Sequence, residues 1–272
     1  MNMKNQQPIG IFDSGLGGLT VAKAIKNVLP NEQLIYFGDT AHLPYGDKSK
    51  ETIIQYSERI AEFLVQQKCK VIVIGCNSAS ANAFKEVVSK VGGNALVLNV
   101  IDPVVDYIVG TDFKTIGIIG TKSTIDSGTY TEKIHSLKKG ILVLSMATPL
   151  FVPMIEEGFI FDDISNAIIR NYLSRREIAG IESLILGCTH YPIIQNQINK
   201  FYNFDVDIVD SGRIVASSLR SLLTRHDLLN DSTKSEQNQY YVSDLTRYFK
   251  QIARMFFEED IELVKLNLWK QI

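Results

Sequence analysis

Two cysteines in this chain occupy the same kind of place. Cys76 follows the apolar run "VIVIG" (Val71 to Gly75) and precedes Asn77 and Ser78; Cys188 follows "SLILG" (Ser183 to Gly187) and precedes Thr189 and His190. A thiol has a reference pKa of about 8.5, close enough to neutrality to serve as acid or as base. A thiolate can take a proton from one face of a carbon while an opposing thiol delivers one to the other face. The product is inverted configuration, so racemisation of a substrate with an acidified C–H needs such a pair. The third thiol, Cys69 in "QKCKV", lies ahead of a strand and reads as a packing residue, the usual state of a lone free cysteine.

These thiols must be held by elements the sequence can build. Short Ile- and Val-rich runs start at Ile9, Leu34, Val71, Leu96, Thr115, Ile141, Ser183 and Val206. They are mostly apolar rather than alternating, as suits strands buried on both faces of a parallel sheet. Between them lie helical patterns such as "LTVAKAIKNVL" and "ETIIQYSERIAEFLVQQ", apolar at three- and four-residue spacing. That alternation predicts the α/β class with mainly parallel sheets.

The chain also echoes itself. "IGIF" at Ile9 returns as "IGII" at Ile116, and "LIYF" at Leu34 as "ILVL" at Ile141, both about 107 residues on. The two cysteines stand about 112 apart, and "VID" ending at Asp102 returns as "IVD" ending at Asp210. Four echoes in one order predict two similar, pseudo-symmetric lobes. The expected division is residues 1–98 with 211–272 for the first lobe and 99–210 for the second. Ligands of open α/β sheets sit outside the carboxyl ends of the strands, where both thiols fall. Each also precedes an expected helix start, whose dipole favours the thiolate. Two lobes closing face to face would aim both thiols into one cleft.

Around the thiols, "IFDSGLGGLT" puts Asp13 and Ser14 at a strand end before a Gly-rich turn. It matches neither a dinucleotide fingerprint nor a phosphate loop, since no Lys-Ser/Thr follows the glycines. Its carboxylate could tune a thiol or hold a substrate ammonium. "GDTAHLPYG" is a strand-end loop with Pro44, Tyr45 and Gly46. Asn77, Ser78, Thr189 and His190 offer donors for substrate carboxylates, and "GTKST" adds Thr121 and Thr124. His190, two residues from Cys188, could also move protons with it. His42, His135 and His226 lack such a context and read as solvated or packing residues.

Composition narrows the function classes. The 272 residues are 45% hydrophobic and 21% charged with a net charge of −2, an ordinary globular balance. A pI near 6.1 with scattered basic residues leaves no footprint for nucleic acid or an anionic membrane. No apolar run approaches a membrane span, and "MNMKNQQP" is too polar for a signal peptide. Three distant cysteines suit neither a disulfide framework nor a zinc site, so a cytoplasmic protein with free thiols and no metal is expected.

The segments "GIFDSGLGGLTV", "GDTAHLPYG", "GCNSAS", "IGTKSTI", "PLFVPMIEEG" and "LGCTHYP", in this order, resemble the glutamate racemases of the cofactor-independent aspartate/glutamate racemase family. The resemblance runs from about Ile9 to Leu266. It implies a two-lobed homodimer, with its site in the cleft, that interconverts L- and D-glutamate for peptidoglycan without pyridoxal phosphate or metal. It implies Cys76 and Cys188 as the acid/base pair, with Asp13 and His190 as their catalytic neighbours. It implies substrate contacts from Asp13, Ser14, Pro44, Tyr45, Gly46, Asn77, Ser78, Thr121, Thr189 and His190. Glu156 or Glu157 matches the acidic residue beside the second thiol, and spacing does not choose between them. The chain departs from the family pattern at Ser78, more often Thr, and at Thr148, often Cys. It also lacks the N-terminal extension of some members, so regulation by a cell-wall precursor is not expected. Two other readings stay open: a relative acting on aspartate or another small acid, and a non-catalytic binder of a dicarboxylic amino acid, which would not require thiols.

Overall fold

The computed structural model describes residues 4–232, 236–257 and 260–269. The chain starts with β1 (Ile9–Asp13), α1 (Leu19–Val28), β2 (Leu34–Gly38), α2 (Lys50–Gln66), β3 (Val71–Ile74), α3 (Asn77–Val91) and β4 (Leu96–Asn99). It continues with α4 (Asp102–Val109), β5 (Thr115–Gly120), α5 (Lys122–Asp126), α6 (Thr129–Leu137), β6 (Leu142–Ala147), α7 (Phe151–Glu156) and α8 (Asp163–Leu173). Then follow β7 (Ser183–Gly187), α9 (Gln195–Phe201), β8 (Asp207–Val209), α10 (Ser211–Arg225), β9 (Gln239–Val242), α11 (Arg247–Phe257) and β10 (Leu263–Lys265).

Two sheets form, ordered β10-β9-β2-β1-β3-β4 and β6-β5-β7-β8, and every pairing is parallel. The order β2-β1-β3-β4 repeats as β6-β5-β7-β8, so the sequence echo reports a repeated topology. Ile9 pairs with Leu34, whereas Ile116 pairs with Val143 rather than Ile141. The two-residue slip leaves every side chain on its original face, because strand side chains alternate with period two. All eight expected strands are present. The sequence reading missed β9 and β10, which extend the first sheet from the far end of the chain. β4 keeps Asn99 in the first sheet, one residue past the expected boundary.

The central strands β1, β2, β3 and β7 are buried along their whole length, which explains their unbroken apolar runs. Ile9 and Ile11 pack on one face of the first sheet with α1 and α10, while Phe12 packs on the other with α2 and α3. Gly10 lies on that second face; a Cβ there would come within 2.9 Å of the Cys69 sulfur. Cys69 is thus a packed thiol, and burial pushes its pKa up to about 12. Its structural reading from sequence agrees with this placement.

Candidate active site

Both cleft cysteines leave the carboxyl ends of corresponding strands, β3 and β7, and both are about 95% buried. Cys76 is the N-cap residue of α3. Cys188 differs from expectation: a short 3-10 turn, Tyr191–Ile194, separates it from α9, so no α-helix starts directly after it. The two thiols line one cavity of about 340 Å³ of atom-free space. Ser14, Pro44, Tyr45, Gly46, Asn77, Ser78, Thr121, Thr189 and His190 line it as well. Every one of the expected contact residues except Asp13 is therefore in its wall, joined by Leu43, Val152 and Gly187. A wider groove of about 1550 Å³ along α8 and α9 presents Arg170 and Lys200 but neither thiol nor imidazole, so size does not locate the chemistry.

Asp13 sits behind the wall, fully buried. Its carboxylate accepts from the Gly15 N–H at 2.9 Å and from the Thr189 hydroxyl at 3.1 Å, tying the Gly-rich turn to the second sheet. Burial raises its pKa, against the pull of the His190 charge and of the Gly15, Gly18 and Thr189 donors. The glycines of that turn allow the close approach. A Cβ on Gly17 would stand 2.5 Å from both His190 Nδ1 and Thr189 Oγ1.

The two thiols have different surroundings. The Cys76 thiol donates to Ser14 Oγ at 3.7 Å. Burial pushes its pKa up to about 12; the Asp13 and Cys188 charges add to that rise, and the Ala79 N–H and Ser14 hydroxyl only reduce it. The helix start was expected to favour the thiolate, but desolvation wins over the dipole here. Cys188 instead faces an imidazole, His190 Nδ1, at 3.8 Å, and His190 Nε2 meets the Glu156 carboxylate. Burial alone would lower the His190 pKa, yet Cys188 and Glu156 raise it well above its ordinary value. Glu156 is partly buried beside His190 while Glu157 is exposed, which resolves the choice that spacing left open.

Polar groups from both sheets meet on the opposite wall. Ser78 Oγ lies 2.9 Å from Thr121 Oγ1 and 3.2 Å from Thr124 Oγ1, so hydroxyls at the starts of α3 and α5 bridge the two halves. Thr121 also caps α5, accepting from the Thr124 N–H. The Tyr130 hydroxyl donates to Asn77 Oδ1 at 2.8 Å and fixes which end of that amide donates. Thr148 bonds Tyr191 at 2.7 Å and does not line this cavity, so its departure from the family pattern leaves the wall intact.

Sequence reasoning missed one group here. His42 is not merely a solvated or packing residue: its Nδ1 lies 2.9 Å from Asp39 Oδ1, and Asp39 also accepts from Tyr45. The signal was the "GD" at the end of β2, whose Asp39 follows the strand's last residue much as Asp13 closes β1. His135 contacts the Ile141 carbonyl and His226 ends α10, as expected of residues outside the site. Among the described residues no cluster of three His, Cys, Asp or Glu side chains could hold a metal, and no helix is long and apolar enough to cross a membrane.

The chain is similar to known racemases over nearly its whole length. Residues 18–219 match the family model described as Asp/Glu/Hydantoin racemase. A glutamate racemase of Chlorobaculum parvum is 41% identical over 260 residues, 95% of each chain. The crystal structure of a Francisella tularensis glutamate racemase in complex with D-glutamate superposes with a TM-score of 0.91 at 39% identity, covering 97% of this chain and 99% of that one. A Thermus thermophilus glutamate racemase, in complex with β-chloro-D-alanine, gives a TM-score of 0.85 at 33% identity, covering 97% and 98%. With two thiols in one cavity between repeated sheets, and this likeness across both, the chain belongs to the Asp/Glu/hydantoin racemase family.

Proposed function

We propose that this protein is a glutamate racemase in which Cys76 and Cys188 form a two-base pair acting on opposite faces of Cα. The observation that carries the reading is the shared cavity with its unequal surroundings: Cys76, whose pKa burial raises, and Cys188, 3.8 Å from the His190 imidazole, whose pKa Cys188 and Glu156 raise against burial. In one direction Cys188, acting as the base with His190 Nδ1 at 3.8 Å from its sulfur, takes the α-proton. The electron pair moves into the α-carboxylate, and the Cys76 S–H proton adds to the other face. The reaction leaves a Cys188 thiol and a Cys76 thiolate, from which the reverse reaction runs. Glu156 keeps His190 charged, and Asp13 sets the electrostatic environment of Cys76 and presents Thr189.

An α-proton is a weak acid, so preorganised donors must stabilise the charge that develops on the carboxylate. Asn77, Ser78, Thr121 and Thr189 are suited to that work. Expelling water from the cavity when substrate binds would strengthen each contact, and the lobes would part for entry. We further infer that the sheet holding β1–β4, β9 and β10, with Asn99 included, moves as one lobe against the sheet β5–β8, and that the enzyme works in the cytoplasm as a homodimer supplying D-glutamate for peptidoglycan. The free thiols and the family support these statements.

The deciding experiment is incubation of purified protein with L-glutamate in deuterium oxide, without added cofactor. Deuterium should appear at Cα as optical activity falls to zero, because each thiol exchanges its proton with solvent. Faster inversion of aspartate would replace the substrate assignment, and binding of glutamate without exchange would refute catalysis.

A further inference from the structure

The cavity wall formed by Leu43, Pro44, Tyr45 and Gly46 belongs to a loop, residues 39–48, that lies outside the sheet after the Asp39 N–H has bonded the Asp13 carbonyl of β1. Fixing such a backbone costs conformational entropy, so something must hold it. The structure places a buried carboxylate at its root. Asp39 is fully buried, and Oδ2 accepts from the Tyr45 hydroxyl at 2.7 Å while Oδ1 accepts from Ser243 Oγ at 2.7 Å. His42 Nδ1 lies 2.9 Å from Oδ1 and 3.0 Å from Oδ2. Ser243 also accepts from the Ala41 N–H at 2.8 Å, and Asp244 exchanges two bonds with Thr40. A buried carboxylate is tolerated only when so bonded, which makes these bonds obligatory for both sides.

The segment Leu266–Trp269 reaches the His42 ring through Trp269. The His42 ring stacks on Tyr56 at 4.4 Å, and Trp269 meets His42 edge-on at 4.7 Å and Tyr56 at 5.1 Å. The Leu266 N–H donates to the Val242 carbonyl at 2.8 Å, and the Arg59 guanidinium reaches the Leu268 carbonyl at 3.4 Å, so the segment is anchored on both sides. None of Asp39, His42, Tyr56 or Trp269 lines the catalytic cavity.

We propose that Asp39 is a positioning residue for the reaction: it holds the loop Leu43–Gly46 closed over the cavity, and the C-terminal segment Leu266–Trp269 locks that arrangement by packing on His42. The role deepens the racemase reading, on which its catalytic consequence rests. Loss of the lock lowers the fraction of molecules with a closed loop. Apparent affinity falls by that fraction, while turnover of bound substrate changes little.

The test uses Asp39→Asn, which gives one oxygen site a donor where every partner also donates, and Trp269→Ala, which leaves the buried network intact and guards against misfolding of the first variant. Iodoacetamide alkylation of each cysteine is followed by peptide mass spectrometry, alongside glutamate kinetics. Both variants should alkylate Cys76 and Cys188 about tenfold faster than wild type and raise KM by a similar factor, with kcat within about threefold. Cys69, packed beneath Gly10, should keep its wild-type rate. Unchanged cavity-thiol rates in Trp269→Ala, or a parallel rise at Cys69 that signals general loosening, would overturn the proposal. Wild-type protein that fails to racemise glutamate would refute the racemase reading instead, because the alkylation arm needs no substrate.

Discussion

Substitution of Gly17 by alanine tests whether the two halves meet as closely as the site requires. A Cβ at this position would lie 2.5 Å from Thr189 Oγ1, 2.5 Å from His190 Nδ1 and 2.7 Å from His190 Cε1. Ordinary contact begins near 3.4 Å, so 3.4 − 2.5 leaves 0.9 Å to be found. Neither neighbour yields freely. Thr189 is bonded to Asp13, and His190 is held between Cys188 and Glu156. The Gly-rich turn must therefore move away from the second sheet by close to an ångström, taking Ser14 with it. A misplacement of about 1 Å at a catalytic centre can cost about a hundredfold in rate. Overpacking itself costs about 1–3 kcal/mol, a fall of several degrees in Tm rather than loss of the fold. The assay is kcat/KM for L-glutamate by circular dichroism, with Tm measured on the same sample. Gly15→Ala in the same turn is the control, since its Cβ would meet Leu43 at 3.7 Å. A hundredfold loss for Gly17→Ala and at most about threefold for Gly15→Ala is expected. Near-normal kcat/KM for Gly17→Ala would show that the turn does not press on Thr189 and His190.

Two other substitutions probe the acid/base groups directly. Cys76→Ser and Cys188→Ser should each remove at least about three orders of magnitude from racemisation, because a hydroxyl is far too weak an acid to replace a thiol; either variant retaining near-normal turnover would break the two-base assignment. Glu156→Gln removes one of the two anions that hold His190 protonated, so the alkaline limb of its kcat/KM profile should move to lower pH. The same group affects stability. The folded His190 pKa is raised, so its contribution is fully present below about 6.5 and is lost as pH rises through the raised value. The wild-type Tm should drop across that alkaline window and the Glu156→Gln Tm should drop less, which urea or thermal melts at several pH values would check.

Much of the site was legible in the sequence because it is made of local signals. A run such as "VIVIG" fixes a buried strand over a few residues, and the glycine and cysteine after it mark the strand's carboxyl end. Repeating that signal in "SLILG" was enough to predict both a second sheet and a second thiol. The weaker strands were not legible: β10 has three residues, and β9, "QYYV", follows a polar stretch with no apolar run. Their place in the sheet comes from pairing rather than from their own composition: β9 lies against β2, whose residues stand far earlier in the chain, and β10 lies against β9.

By itself, then, the chain determined the eight strands of the repeat and which side chains stand at their ends, since these follow from propensity and periodicity within short windows. Tertiary structure alone decided how those side chains behave. It made Glu156 rather than Glu157 the partner of His190, joined Thr189 to Asp13 across 176 residues, and brought Trp269 onto His42. It also reversed one expectation, keeping the Cys76 thiol protonated where a helix start suggested a thiolate. The reason is that protonation follows desolvation and nearby charge, which depend on what the fold places around an atom and not on its neighbours along the chain.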